Sequence, residues 1–405
     1  MRRLSVLMAV CFVDMIGLMI VAPLLPYYAL RLGAAEWMVG PLIASFAVAQ
    51  LASSPLWGRV SDRYGRRPAL LIGLSASAVA YVIFGVATSL WVLFASRLAQ
   101  GLGGGTVGVA QAYVADTMAP SERAKALGWL SAATSAGVII GPALGSLASH
   151  WGPEAPGLFA AALVLLNVLF AWRWLPESRV PHHAAATAAA PDGAARPSAA
   201  SQPRPIAHAL WEVVRHPMRA VPLLIWIYAV GMLALNVLIG VLALYLKFRF
   251  GITEHTIGYV FMVFGIVGVV MRTAPVGWVN AWIGEVRTMR LGAALLALGL
   301  ALMPQPTAIA PFVLCLMLVP LGTALLFPAT SSLVSQHSVK SELGQTMGVQ
   351  QTFRGIMSIL GPIGGSLAYQ DLGPSVPFFL AAGIVALVVP LAWWVPAAQP
   401  AAAAT

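Results

Sequence analysis

The sequence predicts an all-α membrane protein with twelve transmembrane helices in two pseudo-symmetric six-helix bundles. Composition, the spacing of apolar segments and the distribution of charge lead to this fold class. Of the 405 residues, 60% are hydrophobic and 9% charged, and the mean hydropathy is +0.85. Soluble globular chains are about 45–50% apolar and about 25% charged, so this chain has too little polar surface to cover a water-facing body. Its two cysteines also exclude a disulfide-rich scaffold.

Twelve apolar segments are long enough to cross a bilayer, which takes about 20 mainly apolar residues. In the first half they are 4–30, 37–57, 68–87, 90–115, 126–149 and 155–174. In the second half they are 220–246, 256–277, 289–303, 307–333, 343–369 and 376–395. The ninth and tenth spans are divided at Pro304-Gln305-Pro306, because proline cannot continue a helix cleanly.

A segment of different composition separates the two sets of spans. Residues 176–218 are rich in Ala, Pro, Ser and His and cannot bury a core, so we expect a flexible cytoplasmic linker. Its end, Ile206–Arg215, has the pattern of a short amphipathic helix lying at the membrane interface. The predicted domains are an N-terminal bundle over 1–175, a C-terminal bundle over 219–396 and a disordered tail over 397–405.

Lysine and arginine are distributed unequally between the two sides of the membrane. With the N-terminus inside, Arg31, Lys247 and Arg249 lie outside, Arg97 and Arg354 lie within spans, and the other basic residues, Arg272 among them, lie on the cytoplasmic side. This asymmetry follows the positive-inside rule. We therefore expect a multi-pass protein of the cell membrane with both termini in the cytoplasm. The asymmetry also accounts for the net charge of +10 without a nucleic-acid partner.

The two halves of the chain resemble each other at a nearly constant offset. Ser121–Gly128 aligns with Ser341–Gly348 (341 − 121 = 220), and Gly141–Leu147 aligns with Gly361–Leu367 (361 − 141 = 220). At an offset of 219, Gly58 and Gly65 meet Gly277 and Gly284. The pattern predicts a duplicated six-helix unit, with a substrate path between the halves near the bilayer midplane. The small residues expected at helix interfaces are Gly137, Gly141, Pro142 and Gly145, with Gly361, Pro362 and Gly365.

The loop after the second span carries a distinctive pattern of glycine and charge. It reads Gly58-Arg-Val-Ser-Asp62-Arg63-Tyr-Gly65-Arg66-Arg67, and this spacing resembles the signature loop of the major facilitator superfamily. The resemblance implies that Asp62 braces the domain interface in the outward-facing state. It also implies that Arg63 pairs with Asp116, at the end of the fourth span. The alternative is a basic loop that only sets topology.

The fourth span contains an arginine within an apolar stretch. Arg97, Gln100, Gly104, Gly108 and Gln111 recur at steps of three and four, which predicts one narrow polar face. An arginine at mid-bilayer costs about 2.5–3.5 kcal/mol on insertion scales and usually faces water or a partner. The segment resembles the second motif of the same family, which implies that Arg97 takes part in proton transfer. A structural ion pair is the alternative.

The fifth span is rich in glycine. Gly137, Gly141-Pro142 and Gly145 resemble the motif associated with antiporters in the drug-exporting branch. The sequence departs from that motif at Ser146, where a second glycine is usual. Serine is also small, so close helix packing is retained.

The first span contains Asp14, the one acid well inside any span. The pattern Asp14-x-x-Gly17-x5-Pro23-x-x-Pro26 resembles the first helix of the twelve-span drug:proton antiporters, including tetracycline exporters. Burial disfavours the charged form of a carboxyl group, so Asp14 can take up a proton from one side and release it to the other. The alternative is a neutral structural hydrogen bonder. Tetracycline exporters commonly carry a further acid in the third span, where this sequence has Ala80-Tyr81.

Further polar residues inside spans are candidates for a substrate cavity. They are Gln50, Gln100, Gln111, Tyr228, Asn236, Gln350, Arg354 and Ser358. Gln350, Arg354 and Ser358 lie one helical turn apart and share a stripe. Arg354 either favours anionic or polar groups, answers Asp14 electrostatically, or serves only in packing.

These features together predict a proton-coupled antiporter that exports small amphiphilic or hydrophobic compounds by alternating access. Efflux or proton symport of a sugar, lipid or other metabolite is the first alternative, and a non-transporting receptor or scaffold is the second. An enzyme is not expected, because the sequence has no phosphate-binding loop, no metal-ligand cluster and no nucleophile–base pattern. We expect no cofactor or metal, and we expect a monomer whose partners are its solute, protons and the bilayer.

Overall fold

A computed structural model describes residues 2–178, 206–273, 275–339 and 342–394. Regular structure in these ranges is helical, without a strand. The helices of the first half are α1 Arg2–Val21, α2 Leu25–Arg31, α3 Val39–Tyr64, α4 Arg66–Gly85, α5 Leu90–Gly103, α6 Thr106–Thr117, α7 Pro120–Ala148 and α8 Ala155–Trp174. Those that follow are α9 Ile206–Arg215, α10 Ala220–Phe250, α11 Ile257–Thr273, α12 Pro275–Ile283, α13 Glu285–Leu302, α14 Ile309–His337, α15 Leu343–Leu372 and α16 Val376–Leu391.

Each of the twelve predicted spans coincides with helix, and three of these spans are interrupted. The first comprises α1 and α2 around a 3₁₀ turn at Ala22–Leu24, the fourth comprises α5 and α6, and the eighth comprises α11 and α12. Eight helical segments are long and apolar enough to cross a membrane, and the bent pair α11–α12, with an angle of 51°, makes nine. The other three predicted spans are the broken α5–α6 pair and the more polar helices α13 and α15.

The helix predicted at the end of the linker is present as α9. Trp226 Nε1 of α10 donates a hydrogen bond to the carbonyl oxygen of Val213 in α9, at 3.1 Å. Residues 179–205 of the predicted linker, and the predicted tail at 397–405, lie outside the described residues.

The chain divides into two compact units. The first contains the described residues of Met1–Arg196 together with Leu246–Gly265, and the second contains those of Pro197–Tyr245 and Ile266–Thr405. The first unit therefore includes the connection from α10 to α11, which the sequence-based boundary assigns to the C-terminal bundle. Hydrogen bonds explain this grouping: Ser146 Oγ of α7 donates to the carbonyl oxygen of Glu254 at 2.7 Å and accepts from the Gly258 amide at 2.8 Å.

Small residues allow the corresponding helices of each unit to pack closely. In the first unit, a Cβ atom on Gly137 would lie 2.7 Å from the carbonyl oxygen of Phe12 in α1. In the second, a Cβ on Gly361 would lie 2.6 Å from Asn236 Cβ in α10. The small faces of α7 and α15 thus pack against the first spanning helix of their own half, as the predicted repeat requires.

The repeat extends to the backbone. Six glycines among the described residues have positive φ, and they form three pairs: Gly33 with Gly251 (251 − 33 = 218), Gly65 with Gly284 (284 − 65 = 219) and Gly152 with Gly373 (373 − 152 = 221). Positive φ favours glycine because a side chain would be strained there. Each pair occupies the same connection in the two halves, so the loops are duplicated along with the helices.

Large apolar side chains remain on the outer surface, as contact with lipid requires. Most of the exposed tryptophans lie near helix ends: Trp91, Trp151, Trp172, Trp174, Trp282, Trp393 and Trp394. Tryptophan is enriched at membrane–water interfaces, where its ring meets the headgroups. These side chains mark the levels at which the helices leave the apolar layer.

Candidate functional site

Asp14 lies in the middle of α1 and is partly buried. Thr106 Oγ1 donates a hydrogen bond to Asp14 Oδ2 at 2.9 Å. Thr106 is buried and opens α6, directly after the break that follows α5. In the described part of the chain, Asp14 forms no ion pair. Its hydrogen-bond partner is therefore a neutral hydroxyl group and not a cation.

Tyr81 of α4 connects Asp14 to the fourth span. Its ring lies against Gly17, where a Cβ atom would be 3.2 Å from Tyr81 Cε2 and 2.6 Å from Val164 Cγ2. Gln100 Nε2 donates to the Tyr81 hydroxyl oxygen at 2.6 Å, and that hydroxyl interacts electrostatically with both Asp14 and Arg97. Tyr81 thus stands between the acid and the buried arginine. From the sequence, Tyr81 was noted only as a departure from tetracycline exporters, and Thr106 was not identified as a site residue.

Arg97 is the largest fully buried side chain of the described residues, with 1% of its surface exposed. Its Nη2 atom lies 3.4 Å from Ser96 Oγ, and its guanidinium carbon lies 5.5 Å from the centre of the Phe84 ring. Arg97 Nε and Gln100 Oε1 have no hydrogen-bond partner within the described chain. Arg97 and Asp14 form no ion pair in the described chain, and Tyr81 is the residue that interacts with both.

The fourth span does not carry the continuous polar face expected from its sequence. The helix breaks after Gly103 and resumes at Thr106. Before the break Arg97 and Gln100 are buried, whereas Gly108 and Gln111 beyond it are exposed. The run of three glycines at 103–105 favours this break, because glycine weakens a helix.

Gln50 has a local structural contact at that break. Its Nε2 atom donates to the carbonyl oxygen of Gly104 at 3.1 Å, and Ser53 Oγ, one turn along α3, donates to the carbonyl oxygen of Gly101 at 3.2 Å. The bond from Gln50 satisfies a carbonyl group at the interruption of the helix, and the bond from Ser53 adds a second donor to the Gly101 carbonyl, which also accepts from the Gly104 amide at 3.0 Å.

The signature loop is organised by Arg66. Its Nε atom lies 2.8 Å from Asp116 Oδ2, and its Nη1 atom lies 2.8 Å from Asp62 Oδ1 and 2.7 Å from Ser61 Oγ. The prediction that Arg63 pairs with Asp116 is therefore wrong. Arg63 lies in the last turn of α3, over the Tyr64 ring, 5.5 Å from its centre. The chain reverses at Gly65, so the first residue of α4 points back to both acids.

Glu177, directly after α8, closes the same loop from the other side. Its two carboxylate oxygens accept hydrogen bonds from the backbone amides of Arg66 and Arg67, at 2.9 and 3.1 Å. An anion at a helix N-terminus satisfies free amides and the helix dipole. Gly65 has φ +101, and a Cβ there would lie 2.6 Å from Glu177 Oε2. Gly58 has open space around its Cα. Glu177 was not predicted, although its position beside Pro176 at the start of the linker was a signal.

The predicted cavity residues of the second unit lie on α10 and α15, and most have local partners. Gln350 is buried and donates from Nε2 to Ser331 Oγ at 3.1 Å. Asn236 Nδ2 donates to the carbonyl oxygen of Met232 at 2.8 Å, and Ser358 Oγ donates to that of Arg354 at 3.0 Å. These bonds hold the side chains to their own unit.

Arg354 and Tyr228 have a different environment. Arg354 Nη1 lies 3.2 Å from Gln351 Oε1, and neither Arg354 nor Arg272 forms an ion pair in the described chain. The buried Tyr228 ring lies 5.0 Å from that of Phe327. Arg272 was assigned to the cytoplasmic side, although the predicted span 256–277 contains it. It lies in the last turn of α11, and after a bend of 51° the chain continues as α12 to Ile283. Arg272 therefore belongs to a helical span and not to a connecting loop.

Comparison with known proteins identifies the family. The sequence profile of the Major Facilitator Superfamily matches residues 7–303 and 224–405. The chain is 29% identical to the tetracycline resistance protein, class G, of Vibrio anguillarum over 91% of both chains. It is 29% identical to multidrug resistance protein 1 of Bacillus subtilis (strain 168) over 97% of both.

A solved structure has the same fold. The crystal structure of the human organic anion transporter MFSD10 (TETRAN) aligns with a TM-score of 0.68 at 22% identity, over 96% of this chain and 99% of that one. A likeness at this identity concerns the fold. The sequence profile and the curated relatives show that the chain is a transporter and not an enzyme, and that it belongs to the Major Facilitator Superfamily.

Proposed function

We propose that the protein is a proton-coupled antiporter that exports small amphiphilic or hydrophobic compounds by alternating access. The observation that carries this proposal is Asp14: a partly buried acid in the middle of a spanning helix, hydrogen-bonded to a neutral hydroxyl and separated by Tyr81 from the buried cation Arg97. Ionisable groups inside a membrane are costly and usually functional. The curated relatives named for tetracycline and multidrug resistance support an exporter of drug-like compounds.

In each turn of the proposed cycle, Asp14 carries one proton from the outside to the cytoplasm. Facing outside, the site releases its solute and the Asp14 carboxylate takes up a proton. Facing the cytoplasm, Asp14 releases that proton and the site takes up the next solute. Arg97 acts through Tyr81, whose hydroxyl interacts with both Asp14 and Arg97. The Gln100–Tyr81 hydrogen bond holds the phenol between the two groups.

The proposed setting is the cell membrane, with both termini in the cytoplasm and the protein acting as a monomer. The internal repeat supports an N-terminal bundle over 1–175 and a C-terminal bundle over 219–396 as the two moving parts. The Arg66 cluster and the glycine faces of α7 and α15 are the proposed conformational elements. Sugar, lipid or metabolite transport is less favoured by the relatives' names.

Everted membrane vesicles test this function. In vesicles acidified inside by respiration, an antiporter imports an added drug in exchange for lumenal protons. We expect ethidium or tetracycline to dissipate the pH gradient, reported by acridine orange, only in vesicles that contain the protein. A Glu122→Gln variant, changed at an exposed acid of α7, is the matched control and should behave as the unaltered protein. A gradient that no compound of a broad drug panel dissipates would refute proton-coupled drug export.

A further inference from the structure

Arg272 and Arg354 lie inside two predicted spans of the second unit. Arg354 is 11 residues after the start of α15 at Leu343 (354 − 343 = 11), about 16 Å along that helix. Arg272 lies in the last turn of α11, directly before the bend of 51° that leads into α12. Both residues are exposed and belong to segments predicted to cross the bilayer.

Neighbouring contacts bring these two helices around Tyr228 of α10. Trp226 and Phe353 are in edge-to-face contact with ring centres 5.2 Å apart, which places α10 beside α15 next to Arg354. Gly231 packs on Leu326 and Phe327 of α14, and Gly268, one turn before Arg272, packs on Pro320 of the same helix. The two guanidinium groups interact electrostatically with each other and with the Tyr228 hydroxyl.

No acid of the sequence lies inside a predicted span of the second unit. The acids of 219–405 are Glu254, Glu285, Glu342 and Asp371. Glu254 belongs to the first unit, and the other three lie at or near helix ends. Glu342, which precedes α15, lies about 18 Å from Arg354 along the helix axis. Two like charges inside a bilayer without a counter-ion are costly. No described acid of the second unit pairs with either arginine, so an anionic group of a bound solute is a suitable partner.

We propose that Arg272 and Arg354, with the Tyr228 hydroxyl, form an oxyanion subsite that binds the carboxylate, sulfonate or phosphate end of an exported amphiphile. This inference deepens and rests on the proposed function. Arginine suits the role because its planar guanidinium group binds an oxyanion through two parallel hydrogen bonds. The rings of Phe327, Trp226 and Phe353 offer an apolar surface beside it for the body of the solute. The transporter would therefore prefer acidic amphiphiles to neutral analogues.

The test compares two probes that differ only in charge. Dansylglycine carries a carboxylate, and its methyl ester does not. Binding is measured by fluorescence to the full chain in phosphatidylcholine nanodiscs, with empty discs as the blank. We expect the acid to bind at least tenfold more tightly than the ester. Arg272→Gln and Arg354→Gln should each remove most of this preference, and the lysine variants should retain part of it. Arg249→Gln, an exposed arginine at the end of α10, should leave the preference unchanged.

Two further measurements separate the possible failures. Each variant is tested for ethidium-driven proton flux, which reports on folding and on the proposed function. Proton flux without a preference for the acid, or a preference that both glutamine variants retain, overturns the subsite while the antiporter stands. Absence of flux in the unaltered protein with every compound of the drug panel overturns the proposed function itself. The binding is repeated in phosphatidylglycerol discs: a preference that persists supports a solute site, and one that disappears assigns the arginines to lipid phosphate instead.

Discussion

At the scale of single residues, Arg66 holds the signature loop together. It joins an acid of α3, Asp62, to an acid at the end of the fourth span, Asp116, and 8% of its surface is exposed. Charge-assisted hydrogen bonds are roughly twice as strong as neutral ones. One side chain therefore connects three helices, while the neighbouring Arg63 connects none of them.

Replacing Arg66 by Gln should destabilise the protein by about 1–3 kcal/mol, because two carboxylates lose their cation. The matched change Arg63→Gln should alter stability by less than about 0.5 kcal/mol. Thermal denaturation in detergent measures both. Equal losses from the two variants would show that the loop responds only to total charge.

Asp14, Arg97 and Gln100 were identifiable from the sequence because polar groups stand out in apolar spans. Their partners were not, since contacts among α1, α4 and α6 depend on helix packing that no local spacing encodes. Nothing in the local sequence distinguishes Tyr81 and Thr106, and only the folded structure shows that they lie beside Asp14. The spacing of the loop suggested Arg63 as the partner of Asp116, but the reversal at Gly65 gave that role to Arg66.

At the scale of elements, glycine determines where helices approach, bend or stop. Two observations require glycine at position 65: its φ is +101, and a Cβ atom there would collide with the Glu177 carboxylate. The carboxylate caps α4 only because that space is open.

A Gly65→Ala variant should lose about 1–3 kcal/mol of stability from the strained backbone and should displace Glu177 from the amides of Arg66 and Arg67. Gly58→Ala, in a helix and with open space around it, should be neutral or stabilising by up to about 1 kcal/mol. Melting temperatures of the two variants compare them directly. A Gly65→Ala protein as stable as the Gly58→Ala protein would refute this account of the loop.

All twelve helical spans were predictable, because a bilayer demands long apolar segments and the chain supplies them with few exceptions. The breaks inside α5–α6 and α11–α12 were not predicted. Glycines at 103–105 signalled the first. The second follows Arg272 directly, and the helix beyond it extends the eighth span from Gly277 to Ile283.

At the scale of the whole molecule, duplication is the main organising feature. The paired positive-φ glycines and the matched faces of α7 and α15 show that two halves repeat one design. The polar groups are not repeated: Asp14 and Arg97 belong to the first unit, and Arg272 and Arg354 to the second. We infer that the duplicated backbone allows the change between outward-facing and inward-facing states. The side chains differ between the units because the first unit binds the proton and the second binds the solute.

The proposed orientation makes a prediction for the chain as a whole. In a background with Cys11 and Cys315 replaced by Ala, a Ser89→Cys variant should react with an impermeant maleimide on intact cells. A Ser121→Cys variant should react only after permeabilisation. Both positions are exposed and lie on opposite sides in the predicted topology. The reverse labelling pattern would invert the orientation.

The central claim is that the carboxyl group of Asp14 links solute movement to proton movement. Proteoliposomes containing the Asp14→Asn variant test it most directly, with ethidium exchange and pH-driven ethidium accumulation measured on the same preparation. We expect exchange to continue near the unaltered rate and accumulation driven by the pH gradient to be abolished, because asparagine cannot carry a proton. Accumulation at the unaltered level by Asp14→Asn would contradict the account.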